Sequence, residues 1–116
     1  MWVFTKTGFI SIVQHREQVD LMIVRARCAA HLQSLFPGTE VLETKNADYR
    51  FRAFVHRDVV RDALTAVIDA LDYSNFKDSI ADAQYHDAAM RVWEVMHVIQ
   101  PGGNRFKTGY LAEDDY

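Results

Sequence analysis

Residues 48–71 read DYRFRAFVHRDVVRDALTAVIDAL, and inside this stretch the hydrophobic period changes from 2 to 3.6. In its first part Tyr49, Phe51, Ala53 and Val55 alternate with Arg50, Arg52, Phe54 and His56. Successive side chains of a strand point to opposite sides, so the alternation predicts a strand over 49–56 with one apolar face and one basic, aromatic face. From Asp58 onward, Val60, Leu64, Val67, Ile68 and Leu71 recur at helical spacing and leave Arg61, Asp62, Thr65 and Asp69 for water. That pattern predicts an amphipathic helix over 58–71 with Asp58 as its N-cap. A strand running straight into a helix decides which strand face is covered, and so which face carries the arginines.

Upstream, residues 2–5 and 9–13 are rich in aromatic and β-branched side chains and are separated by Lys6, Thr7 and Gly8. Because glycine can supply a positive φ, this reads as a tight hairpin or as one long strand bulged at Gly8. Residues 15–20 read as a loop. Over 21–27 a strand is expected, with Leu21, Ile23, Arg25 and Arg27 on one side and Met22, Val24 and Ala26 forming the better core face. Cys28, His31, Leu32 and Leu35 then give a short helix over 28–36, stopped by Pro37 and Gly38. A strand over 40–44 and a turn at 45–48 complete a second hairpin with 49–56. Downstream, Asp72 to Asn75 should break the helix, with a short helix over 76–83 and a longer one over 85–100. Tyr85, Ala89, Val92, Met96 and Ile99 share one side of the latter, with Trp93 beside them, and Pro101 to Gly103 end it.

The order strand, strand, helix, strand, strand, helix defines an α+β fold. Moving its first core strand to the end would give the ferredoxin-like order, so a circularly permuted ferredoxin-like layout (ββαββα) is expected. Helices 28–36 and 58–71 should lie on one face of an antiparallel sheet, with the C-terminal helices against an edge or across the other face. Residues 1–103 read as a single α+β domain and 104–116 as an irregular tail carrying Glu113, Asp114 and Asp115.

With 116 residues, 49% hydrophobic and 25% charged, the chain fits one globular domain. Its single cysteine, Cys28, excludes an internal disulfide, and no run of apolar residues is long enough to be a signal h-region or a membrane span. A soluble, cytoplasmic protein without membrane contact is expected. A net charge of −3 argues against a globally basic nucleic-acid binder, which leaves the distribution of charge to decide.

Arg25 and Arg27 on one strand, with Arg50, Arg52, Phe54 and His56 on another, form the candidate binding surface. Sheet faces of this kind hold single-stranded nucleic acid by stacking bases on rings and pairing guanidinium groups with phosphates. The competing reading pairs the arginines with nearby carboxylates, and the aromatic motif of RNA-binding sheet modules is missing. Tyr73 and Lys77 have the Y-x-x-x-K spacing of short-chain dehydrogenases, but no glycine-rich dinucleotide motif accompanies them, so 72–77 reads as a turn anchored by Tyr73 and Phe76. His15, His31, His56, His86 and His97 show no metal-binding spacing. Cys28 and His31 lie one helical turn apart, and a helix packed on the sheet would bury the thiol. No cofactor, metal site or catalytic residue is expected. Trp2, Tyr85, Trp93 and Met96 read as core or as partner contacts.

The segments WVFT-x-x-GFISIV (residues 2–13), VRAR (24–27), DYRFR (48–52) and DYSNFK (72–77) together resemble a group of small bacterial proteins of unknown function, over residues 2–97. The resemblance implies a free-standing bacterial domain and carries no activity, cofactor or site residue. The leading expectation is therefore a small non-enzymatic binding or regulatory domain acting through protein contacts, a homodimer included. Single-stranded nucleic-acid binding on the arginine face comes second, and a small enzyme with a cleft between sheet and C-terminal helices third.

Overall fold

The change of period falls at Arg57, where the chain leaves the sheet and enters a helix. The structure, a computed structural model, describes residues 1–103, so the expected tail at 104–116 lies outside the described residues. The chain divides into two compact units, Met1–Asp72 and Tyr73–Tyr116.

In the first unit, β1 (Trp2–Thr5), β2 (Gly8–Gln14), β3 (Leu21–Ala26), β4 (Leu42–Glu43) and β5 (Phe51–His56) form one five-stranded sheet in the order β1-β2-β3-β5-β4. Every neighbouring pair is antiparallel. Helices α1 (Ala29–Leu35) and α2 (Arg57–Asp69) supply Leu32 and Val60 to the core, together with Phe36 just beyond α1. They meet Ile10, Ile12, Met22, Val24, Ala26, Ala53 and Val55, all from one face of the sheet. Alternation in 21–27 and in 51–56 thus sorts side chains as expected. The fold is α+β, with an antiparallel sheet and two helices on one face.

Several boundaries differ from the expectation, each for a local reason. The hairpin turn is Lys6 and Thr7, and Gly8 pairs with Thr5 inside the ladder. Positive φ occurs at Gly38 and Gly102 and not at Gly8. What excludes a side chain at Gly8 is close approach: a Cβ there would sit 2.4 Å from Cγ of His31. The strand expected at 40–44 shrinks to Leu42–Glu43, and β5 begins at Phe51, so Tyr49 does not follow the alternation of Phe51, Ala53 and Val55. Asp58 is not the N-cap of α2. His56 holds that position without a side-chain bond, while Asp58 lies in the first turn and pairs with Arg61 Nη1 at 2.7 Å. There the carboxylate faces the positive end of the helix dipole. The junction is pinned by Arg57, whose Nη2 donates to the Val19 carbonyl and to Gln14 Oε1, both at 2.8 Å, while its backbone N–H donates to the Asp20 carbonyl.

The apolar stripe expected on α2 is buried only in its first half. Val60 is in the core and Leu64 packs against it, whereas Ile68 is 68% exposed and Leu71 is exposed.

In the second unit, α3 (Phe76–Ser79) is a single turn and α4 runs Ala83–Met96, followed by a 3-10 turn at His97–Ile99. Both expected helices are shorter than their spacing suggested. Asn75 Oδ1 accepts from the Asp78 N–H and Asp82 Oδ2 from the Tyr85 N–H, so short polar side chains end the intervening loop by capping. Tyr85, Ala89 and Met90 of α4 are buried, but Val92, Met96 and Ile99 are exposed.

Candidate functional site

The strand registers align one lateral row across all five strands: Trp2, Ser11, Arg25, Arg52 and Leu42. It lies on the face opposite α1 and α2. A neighbouring row on that face holds Val13, Ile23 and Phe54. Of the six expected surface residues, the structure brings together Arg25, Arg52, Phe54 and His56. Phe54 is 43% exposed, with the His15 ring 6.0 Å from its own, and His56 is exposed.

Arg27 and Arg50 are drawn elsewhere. Arg27 Nε donates to the Asp48 carbonyl at 3.2 Å. Arg50 lies over the Phe51 ring and reaches Glu43 Oε2 at 2.6 Å. Glu43 and Phe51 pair with each other across β4 and β5, and Phe51 packs on the core side, so this ion pair stands apart from Arg25 and Arg52. A half-exposed pair of this kind contributes roughly 0–1 kcal/mol; its main effect is to occupy the guanidinium.

Two residues that the sequence reading did not place here organise the face. Ser11 is 1% exposed, and its hydroxyl accepts from Arg25 Nη2 at 2.9 Å. Tyr49 is buried, with the guanidinium carbons of Arg25 and Arg27 lying 4.7 Å and 4.8 Å from its ring centroid. Such contacts hold a cation against the negative face of a ring. Phe9 joins them, 6.4 Å from Tyr49 and stacked 4.5 Å from Phe4. The signal for Ser11 was legible, since it shares alternation with Phe9 and Val13. Tyr49 was hidden by the irregular backbone before Phe51.

Arg52 differs from the others. Among the described residues its side chain makes no hydrogen bond, ion pair or ring contact, and its Nε and that of Arg25 are buried without a hydrogen-bond partner.

Away from the sheet, Lys77 is 6% exposed, with its Nζ 3.9 Å from the Trp93 ring centroid, while Tyr73 packs against Phe76. Cys28 is exposed at the start of α1, contrary to the expected burial, and His31 accepts the Phe9 N–H at Nδ1. Among the described residues no group of three or more His, Cys, Asp or Glu is placed to hold a metal ion, and no helix is long and apolar enough to cross a membrane. Compared with known proteins, the chain matches no family model, no curated protein and no solved structure.

Proposed function

We propose that this chain is a small non-enzymatic binding domain that acts through contacts with a protein partner, made on the sheet face carrying Arg52, Phe54 and His56. The observation that carries this reading is Arg52: a guanidinium without a bond among the described residues, beside an aromatic ring that is 43% exposed. Arginine and aromatic side chains are the residues that most often anchor protein interfaces. Nucleic acid fits the face less well. Arg27 and Arg50 are held by Asp48 and Glu43, which leaves no row of free cations to follow a phosphate backbone, and the chain is acidic overall.

The fold in this reading is a permuted ferredoxin-like one. Strands β2, β3, β5 and β4 stand side by side in that order, with α1 between β3 and β4 and α2 after β5. The resemblance to small bacterial proteins and the single cysteine support a bacterial, cytoplasmic setting for this reading.

Capture from a bacterial lysate, with and without nuclease, tests the proposal. A partner retained after nuclease by the wild-type chain and lost with Arg52→Ala/Phe54→Ala is expected. Capture abolished by nuclease would move the reading to nucleic acid, and capture indifferent to both substitutions would remove this face.

A further inference from the structure

Arg25 and Arg52 stand directly opposite each other on neighbouring strands. The Arg57 N–H donates to the Asp20 carbonyl at one end of the same ladder, which fixes its parity and makes Arg25 and Arg52 a pair that exchanges no backbone hydrogen bonds. Such pairs are the closer kind, with Cα atoms about 4.5 Å apart. Like charges in this arrangement repel, and each buried Nε without an acceptor carries its full desolvation cost. Arg25 is partly compensated by the Ser11 hydroxyl and the Tyr49 ring. The Arg52 side chain is compensated by nothing among the described residues, whereas Arg50 and Arg61 each have a carboxylate, from Glu43 and Asp58. Two cations side by side with idle donors are an arrangement that an anion completes.

We propose that Arg25 and Arg52 form the receptor for a carboxylate carried by an acidic segment of the protein partner, an inference that rests on the protein-contact reading above. A carboxylate offers two oxygens in a plane, which suits the parallel N–H donors of a guanidinium edge. The rim fits a side chain on a polypeptide. Leu42 is 41% exposed in the same row as Arg52, and Phe54 two residues along β5 gives a second apolar contact. A partner segment with an acidic residue beside an apolar one would cover both.

The test is isothermal titration of the full chain with hexaglutamate, with inorganic phosphate and an oligo-dT strand as comparators at matched ionic strength. Hexaglutamate is expected to bind, and Arg52→Gln to weaken it about tenfold, the loss expected for one hydrogen bond to a charged group. Arg52→Lys should recover only part of that, because an ammonium does not present the planar fork. Folding is controlled by the same variant: without added anion, Arg52→Gln should melt no lower than wild type, since it removes a repulsive charge. No hexaglutamate binding at low salt, equal binding by Arg52→Gln, or tighter binding of oligo-dT would each overturn the receptor. The two proposals fail separately. Hexaglutamate binding without any nuclease-resistant partner would keep the carboxylate site and sink its assignment to a protein partner, whereas a partner held through Phe54 but indifferent to Arg52→Gln would sink the carboxylate receptor alone.

Discussion

The imidazole of His31 lies against the bare Cα of Gly8, and its Nδ1 accepts the N–H of Phe9 at 3.1 Å. This contact fastens α1 to β2. Filling Gly8 with a methyl group would drive it to 2.4 Å from Cγ of His31. Gly8→Ala should therefore destabilise the chain by ~1–3 kcal/mol, the usual cost of overpacking. His31→Ala opens the space but leaves the Phe9 N–H without this acceptor, at about 1 kcal/mol or more. Denaturant melts of both variants and of the double variant check the relationship, with the double expected to lose less than the sum of the two. Strict additivity would mean that the two residues do not share a contact.

That contact also marks what the sequence could and could not disclose. Alternation at Met22, Val24, Ala26, Ala53 and Val55 is a local property of the strand, and it sorted the sheet faces correctly. Gly8 was read for backbone freedom, because the reason for it lies 23 residues away in the chain, on α1. Tyr49 failed for a related reason: alternation holds only while the ladder continues, and β5 starts two residues later. For Arg50 the strand face was not enough, because a long flexible side chain goes where Glu43 draws it. The candidate surface was thus legible in which backbone positions share a face, and not in which guanidinium groups remain without a partner.

Lys77 and Trp93 supply a second test, in the other unit. With Nζ 3.9 Å from the ring centroid and the residue 6% exposed, the ammonium is held over the indole out of water. A cation over a ring is worth about 0.5–1 kcal/mol when exposed and about 2 kcal/mol or more when desolvated. Lys77→Met keeps most of the aliphatic stem and removes the charge, and it should lower stability by about 1–2 kcal/mol on that scale. In a Trp2→Phe background, where Trp93 is the remaining tryptophan, its emission should shift as well. An unchanged spectrum and melt would show that the cation does no work at the ring.

The start of α4 depends on Asp82, whose Oδ2 accepts the Tyr85 N–H at 2.8 Å. Asp82→Ala removes the acceptor and should cost about 1 kcal/mol, whereas Asp82→Asn keeps an oxygen in place and should cost much less. Thermal denaturation of the two variants separates a capping role from simple surface charge. Equal losses would mean that the charge, and not the hydrogen bond, holds the helix end.

Tyr85 sits at that same turn, 8% exposed, and its environment determines how the unit responds to alkali. Burial pushes the phenol well above the ordinary tyrosine range, because a phenolate there would lose its water, and the neighbouring Tyr73 adds to the shift. The sign of the effect on stability follows from the protons bound in each state. In the unfolded chain the phenol releases its proton near pH ~10, while the folded chain still holds it. Above that point the folded state binds more protons, so stability falls as pH rises, and below it the contribution is fully present. Denaturant melts between pH 9 and 11 should therefore show a decline that flattens in Tyr85→Phe, and ultraviolet titration of the folded chain should lose a late-ionising phenol in that variant. If the wild type and Tyr85→Phe lose stability along the same slope, the buried phenol is not the group responsible.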